Sequence, residues 1–154
     1  MSKAKVLAFS DDVVPATLNP RDGVMTNAQK LASPPSGGTN CSAPLARLNR
    51  ERATGDLIIY VSDNESWVDT PRHGRYGGSA TQTVKQWEQF KQRSPQAKMI
   101  CIDLQAYDST QAPERQDVVN VGGLSDQVFG LIAAVAAGKT TQGHWVQQIE
   151  AVSI

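Results

Sequence analysis

Two runs of mostly apolar residues, at 56–62 and 98–104, most constrain how this chain can fold. The first run is nearly continuous, which is the pattern of a strand covered on both faces, as the strands of parallel sheets are. Segments with helical periodicity lie between these runs and others like them. This alternation predicts an α/β protein with a mainly parallel sheet.

The remaining elements follow from the same periodicities. Strands are predicted at 6–10, 13–18, 56–62, 98–104 and 118–121, and helices at 25–32, 43–52, 79–93 and 125–137. The second strand is expected to return as a hairpin. Ser42 or Asn40 is expected to cap the second helix. Val84, Trp87 and Phe90 fall on one side of the third helix and are predicted to be core.

Length and charge place limits on the class of protein. The chain has 154 residues, which suits one domain over 1–154, with 138–154 as a linker and docking tail. Lys and Arg together number 15, as do Asp and Glu, so the formal net charge is zero. This balance gives no support for nucleic-acid binding through net charge, although a local basic patch stays compatible with it.

The two cysteines, Cys41 and Cys101, indicate reduced thiols and no disulfide framework. Cys41 lies near a predicted helix start, but no histidine stands in a sequence context suited to activate it. We therefore expect a packed or capping cysteine and no catalytic residue. The sequence shows no secretory leader and no apolar run long enough to span a bilayer. These features predict a soluble, cytoplasmic protein that does not bind membranes.

A glycine-rich turn and a strand end carry the candidate site. Gly37, Gly38 and Thr39 precede a helix, and Asp63 directly follows the strand at 56–62. The carboxyl ends of parallel strands are where α/β folds place ligands. A hydroxyl and a carboxylate are ligands that hard cations such as Mg²⁺ prefer. Thr39 and Asp63 are therefore predicted to begin a divalent-cation site.

The same turn leaves an alternative open. Gly37 and Gly38 lie before a helix N-terminus, where backbone N–H groups can hold a phosphate. The Lys-Ser/Thr partner of a phosphate-binding loop is missing from this turn. The alternative function is a small α/β nucleotide- or phosphate-binding domain.

A polar loop at 64–78 combines basic and aromatic side chains, namely Arg72, His73, Arg75 and Tyr76. Such a combination can contact RNA phosphates, stack on a base or meet a protein partner. The alternative is an ordinary solvated loop.

Several segments together resemble a known family. They are Phe9-Ser10, LNPRD at 18–22, GGTNCSAPL at 37–45 and YVSDNESW at 60–67, with HWV at 144–146 and Ile149-Glu150 in the tail. They are similar to the von Willebrand factor A-like domain of bacterial Ro autoantigen (TROVE) proteins. The resemblance implies a Rossmann-like fold of three layers around a mainly parallel central sheet.

The resemblance also implies a function. Ro proteins join a ring of helical repeats, which binds small Y RNAs and the ends of misfolded RNAs, to this A domain. The A domain carries a metal-ion-dependent adhesion site, in which Thr39 matches the loop threonine and Asp63 the strand-end aspartate. The chain is thus expected to be a non-enzymatic interaction domain that meets RNA indirectly, with the helical-repeat half of a Ro-like protein as its partner.

One part of the family pattern has no counterpart. The first strand, with its Asp-x-Ser-x-Ser ligands, and the first helix are missing, and the chain starts at the family's second strand. About half of the cation ligands are therefore missing, and tight Mg²⁺ binding by this chain alone is not expected. The family's first strand lies between the second and the fourth, so its loss leaves strand edges unpaired. A separate polypeptide, the tail at 146–154 or a second copy in a self-completing homodimer are the three ways to fill the gap.

Overall fold

The computed structural model of the protein describes residues 4–33, 38–62, 82–104 and 116–138. Its elements there are β1 (Ala8–Phe9), β2 (Val13–Val14), α1 (Val24–Ala32), α2 (Ala43–Arg50), β3 (Leu57–Ser62), α3 (Gln82–Lys91), β4 (Lys98–Asp103), β5 (Val118–Gly122) and α4 (Gln127–Ala136). The described residues divide into two compact units, the first within Met1–Thr54 and Glu65–Arg93, the second within Gly55–Asn64 and Ser94–Ile154. A single domain over 1–154 stays a prediction, and the tail beyond residue 138 lies outside the described residues.

The first unit begins with the predicted hairpin. β1 and β2 pair antiparallel, with Phe9 opposite Val13, and the Ser10 N–H group donates to the Asp12 carbonyl across the turn at 2.9 Å. Both strands are shorter than predicted. Pro15 directly follows β2 and has no N–H group with which to extend a ladder. The hairpin packs against α2.

Helices α2 and α3 form the core of the first unit. The three side chains predicted as core are confirmed, because Val84, Trp87 and Phe90 are 7%, 1% and 1% exposed. The Trp87 and Phe90 rings stack with centroids 5.8 Å apart. Asn49 of α2 is also buried, and its amide nitrogen donates to the backbone carbonyl of Gln86 at 2.9 Å and to its side-chain oxygen at 2.7 Å. A polar contact thus fixes α2 against α3 inside an apolar core.

Helix α1 stands apart from this core. It has no buried residue, and the apolar side chains of Val24 and Met25 are strongly exposed. Its polar side meets the preceding loop instead. Asn27 exchanges two hydrogen bonds with the Asn19 backbone, and Lys30 pairs with Asp22 at 2.6 Å.

The second unit is a parallel sheet covered by α4. Its strand order is β3-β4-β5, and both pairings are parallel. Four buried residues, Ile100, Ile102, Val128 and Val135, form the core cluster between the sheet and α4. The predicted α/β class with a mainly parallel sheet is confirmed. No helix in the described part of the chain is long and apolar enough to cross a membrane.

The expectation that the strand at 56–62 is covered on both faces is wrong for one face. Tyr60 and Ser62 are buried at 3% and 7% exposure, but Ile59 and Val61 on the other face are 42% and 49% exposed. The cause is the position of the strand. β3 lies at the edge of the described sheet, and the core under α4 is centred on the β4 residues Ile100 and Ile102.

Candidate functional site

The loop that carries Thr39 is anchored to the turn of the β1–β2 hairpin. On one side of Thr39, the Gly38 N–H group donates to Asp11 Oδ1 at 2.8 Å. On the other side, the Asn40 N–H group donates to the Ser10 carbonyl at 2.8 Å, and Asn40 Nδ2 donates to the Asp11 carbonyl at 3.0 Å. Thr39 itself is half-buried. Its position is therefore set by hydrogen bonds on both neighbours.

Helix α2 starts directly after this loop. Asn40 Oδ1 accepts hydrogen bonds from the Ser42 N–H group at 3.1 Å and from Ser42 Oγ at 2.8 Å. Ser42 occupies the cap position but makes no side-chain capping bond, so Asn40 is the residue that supports the helix start. Cys41, between them, is fully buried. Hydrogen bonds from Ser42 to Asn40 thus connect the loop to the start of the helix.

Asp11 is the residue that sequence reasoning missed. The strand predicted at 6–10 ends directly before Asp11, yet Asp11 accepts a hydrogen bond from a glycine 27 positions further along the chain. The only available signal was an aspartate in a tight turn, a residue type that often binds backbone N–H groups. Because its carboxylate engages Gly38, it also places negative charge where the alternative function requires a phosphate. This charge weighs against phosphate binding at that group.

An ion-pair cluster lies at the other end of α2. Glu51 accepts from Lys5 Nζ and from Arg47 Nε, each at 2.5 Å. These two hydrogen bonds lower the pKa of the Glu51 carboxyl to about 2, and the bond from Lys5 has the larger effect. The cluster joins the N-terminal segment to α2.

The carboxyl edge of the sheet, in the second unit, is where the chain continues from β3 to Asp63. Ser62 and Asp103 are paired at the ends of β3 and β4, and the Leu104 N–H group donates to the Ser62 carbonyl at 2.8 Å. Gly123 follows β5 with a φ of 81°, a left-handed conformation that favours glycine. Ligands of parallel α/β sheets bind along such an edge.

Only Thr39 of the predicted site residues lies in the described part of the chain. Asp63, Arg72, His73, Arg75 and Tyr76 lie outside it, as does Gly37. Asp63 is the residue next to Ser62 in the chain. The assignment of Thr39 and Asp63 to one cation site therefore stays a prediction.

The described residues alone do not fit a complete Mg²⁺ site. Within residues 4–33, 38–62, 82–104 and 116–138, no three His, Cys, Asp or Glu side chains come together as a metal-binding group. Asp11 Oδ1 and Asn40 Oδ1 beside Thr39 already accept hydrogen bonds from Gly38 and Ser42. Mg²⁺ requires near-octahedral oxygen coordination, which these groups do not supply.

Comparison with known proteins identifies the family. Residues 2–136 match the family model described as the Ro60 vWA domain. The chain is 28% identical over 137 residues to "RNA-binding protein RO60" of Deinococcus radiodurans, a match that covers 88% of this chain and 24% of that protein.

A solved structure shows the same similarity. The match to the crystal structure of the Deinococcus radiodurans RO (RSR) protein has a TM-score of 0.67 and 27% sequence identity, and it covers 86% of this chain and 25% of that one. The chain thus spans about a quarter of the length of these relatives. The family model covers most of the chain, and the chain therefore belongs to the Ro60 vWA domain family.

Proposed function

We propose that this chain is a non-enzymatic interaction domain of a Ro-like RNA-binding ribonucleoprotein. The observation that carries the proposal is the Ro60 vWA family match over residues 2–136. The relative from Deinococcus radiodurans is named an RNA-binding protein. In this proposal the chain docks onto the helical-repeat half of a Ro-like protein, and RNA is held by the assembly.

The chemistry of the described residues supports a role without catalysis. Cys41 and Cys101 are 0% and 3% exposed, so neither thiol is presented to a substrate. A nucleophile needs an accessible position and an oriented base. In this proposal the loop at 38–42 is instead a rigid platform, since hydrogen bonds to the hairpin hold both sides of Thr39.

The proposal also assigns Thr39 and Asp63 to half of a metal-ion-dependent adhesion site. Support comes from the family match and from the anchored position of Thr39. The remaining ligands would come from another polypeptide, so the chain would act as one half of a split protein. A divalent cation such as Mg²⁺ would then stabilise the assembly and not the isolated chain.

Within the assembly, the polar loop at 64–78 is assigned to contact with the RNA or with the partner protein. Its residues Arg72, His73, Arg75 and Tyr76 can pair with phosphates and stack on a base. The formal net charge of zero is compatible with a local contact of this kind. Each arginine bound to a phosphate adds roughly one unit to the salt dependence of binding.

The test is a reconstitution. The chain is mixed with the helical-repeat polypeptide of the Deinococcus radiodurans protein and a small structured RNA, and the mixture is separated by size exclusion with and without Mg²⁺. We expect the chain to elute with the repeat polypeptide and the RNA. Elution of the chain by itself under all conditions would contradict the proposal.

A matched pair of variants tests the RNA contact. The change Arg72→Ala with Arg75→Ala is expected to lower RNA affinity and the salt dependence of binding. The control is Arg50→Ala with Arg52→Ala, which removes the same charge from two exposed residues at the end of α2. Equal losses in the two variants would show a general charge effect and not contact by the loop.

A further inference from the structure

Helix α4 is apolar on every side but is buried on one side only. Gln127–Ala136 contains no charged residue, and of these described residues only Val128 and Val135 are buried, within the core cluster beneath the helix. Phe129 is 64% exposed, and Ala133 is exposed as well. A helix that is apolar all round is normally buried all round. The sides of α4 that do not face the sheet therefore need a covering group.

A groove of about 820 Å³ lies along one of these sides, within the second unit. Its other wall is the end of β5 with the turn that follows, residues 121–125, where Leu124 is 60% exposed. The helix wall consists of residues three or four positions apart along α4, namely Gln127, Gly130, Leu131 and Ala134. We call this feature the α4 groove. None of the residues that line it, all within the described part of the chain, is charged.

A glycine in the helix wall keeps the α4 groove open. A Cβ atom added at Gly130 would meet no atom of the described residues within 4 Å. Glycine in a helix interior costs about 1 kcal/mol relative to alanine. No local contact of Gly130 offsets that cost. A glycine in this place is explained when a bulky group from elsewhere in the chain lies closely over the helix.

The segment that follows α4 has the apolar residues to fill the groove. Gly138 ends the helix with a φ of 72°, and its N–H group donates to the Val135 carbonyl at 3.0 Å. Such a left-handed ending stops the helix and redirects the chain. The 16 residues at 139–154 follow directly. Their larger apolar side chains recur at the spacing of one helix side, at Trp145, Val146, Ile149 and Val152.

We propose that residues 139–154 fold back along α4 and fill the α4 groove, with Trp145 over Gly130. The connection is long enough. At about 1.5 Å per residue, Gly130 lies roughly 12 Å from Gly138 along the helix. The seven residues from Gly138 to Trp145 span up to roughly 24 Å when extended. Trp145 can therefore reach Gly130 with length to spare.

The chain's own tail is a better occupant than a second copy. A short tether holds a segment near its site at an effective concentration in the millimolar range, which a dilute second copy does not reach. The uncharged walls also require an uncharged surface, and the apolar side of 145–152 supplies one. The proposal uses groups of this chain alone, so it does not rest on the proposed function.

Spin labelling followed by NMR of the full chain tests the proposal. A nitroxide is attached through Gln147→Cys, which lies opposite the apolar side of the tail, while Cys41 and Cys101 are buried. A nitroxide broadens the signals of amides that lie close to it. We expect loss of the Leu124 and Gly130 amide signals, to the same extent at every chain concentration.

Two results would overturn the proposal directly. Full amide signals of Leu124 and Gly130 in the spin-labelled chain would show that the tail does not lie in the groove. In a mixture, the spin label and the NMR isotope are placed on different copies of the chain. Loss of signal in that mixture would identify a second copy as the occupant. No RNA, Mg²⁺ or partner protein is present, so failure here is separate from failure of the reconstitution.

A matched pair of variants tests the groove itself. Ala134→Glu places a charge in the α4 groove and is expected to restore the Gly130 signal of the spin-labelled chain. Ala133→Glu makes the same change at the adjacent exposed residue, which does not line the groove, and is the control. Equal signals in the two variants would contradict docking of the tail in the groove.

A second pair changes the tail and leaves the groove residues as they are. Trp145→Ser removes the largest apolar group of the tail and is expected to restore the Gly130 signal. Gln142→Ser, in the same tail but outside its apolar pattern, is the control and should keep the signal loss. The same signal loss in both variants would rule out Trp145 as the group over Gly130.

Discussion

At the scale of single residues, Asp11 determines whether the Thr39 loop keeps its position. Asp11→Ala removes the acceptor for the Gly38 N–H group. A hydrogen bond to a charged group at an exposed site contributes on the order of 1 kcal/mol to the free energy of unfolding. We expect a loss of that size in urea-induced unfolding, together with faster hydrogen exchange at Gly38.

Two further substitutions provide the controls for Asp11. Asp11→Asn keeps an oxygen at the same place and is expected to recover most of the loss. Asp12→Ala removes a hydrogen bond from the adjacent Val13 N–H group and a charge near Arg47 but no contact with Gly38, so Gly38 exchange should not change. If Asp12→Ala loosened Gly38 as much as Asp11→Ala does, the anchoring role of Asp11 would be wrong.

Glu51 makes the stability of the fold depend on pH under acidic conditions. Its pKa is lowered to about 2 by hydrogen bonds from Lys5 and then Arg47, from an ordinary value near 4.5. A lowered folded-state pKa means that this contribution is present above about pH 4.5 and is lost as the pH falls towards 2. Thermal unfolding of Glu51→Gln should therefore show a smaller drop in Tm between these pH values than the unchanged chain. Parallel curves for the two proteins would exclude this origin of acid sensitivity.

At the scale of elements, the pairing of α2 with α3 depends on one buried amide. Asn49 donates twice to Gln86 and accepts from the Arg93 guanidinium. Asn49→Ala would leave these partners unsatisfied, so we expect a loss of about 1–3 kcal/mol in the free energy of unfolding. Arg50→Ala, one residue along the same helix but exposed, is the control and should change stability little. A loss from Asn49→Ala as small as that of the control would show that the apolar core alone holds the helices.

The elements also show what the sequence can and cannot predict. Local periodicity predicted β3 as a strand and Trp87 as core because both depend on the alternation of neighbouring residues. The exposure of Ile59 was not predictable, since it depends on strand order and on where α4 lies. The support of Gly38 by Asp11 was missed for a similar reason, because the two residues are 27 positions apart and no local pattern joins them.

At the scale of the whole molecule, the cation site is expected to need a second polypeptide. Titration calorimetry of the chain alone should give a Mg²⁺ dissociation constant on the order of 10⁻³ M or weaker, because too few oxygen ligands are present. In the reconstituted assembly, Thr39→Val should weaken Mg²⁺ binding, whereas Thr26→Val on the exposed helix α1 should not. Tight binding by the isolated chain that survives Thr39→Val would contradict the shared site.

The buried thiols have a consequence for how this molecule can be followed in solution. Cys41 lies in the first unit and Cys101 in the second, and both are buried. An alkylating reagent can reach each sulfur only when the structure around it opens. The peptides that contain the two cysteines differ in mass, so the alkylation rate of each can be measured in one sample. Each rate reports how often the unit around that cysteine opens, without any added label. A partner that stabilises one unit would slow alkylation of the cysteine in that unit and leave the alkylation rate of the other cysteine unchanged.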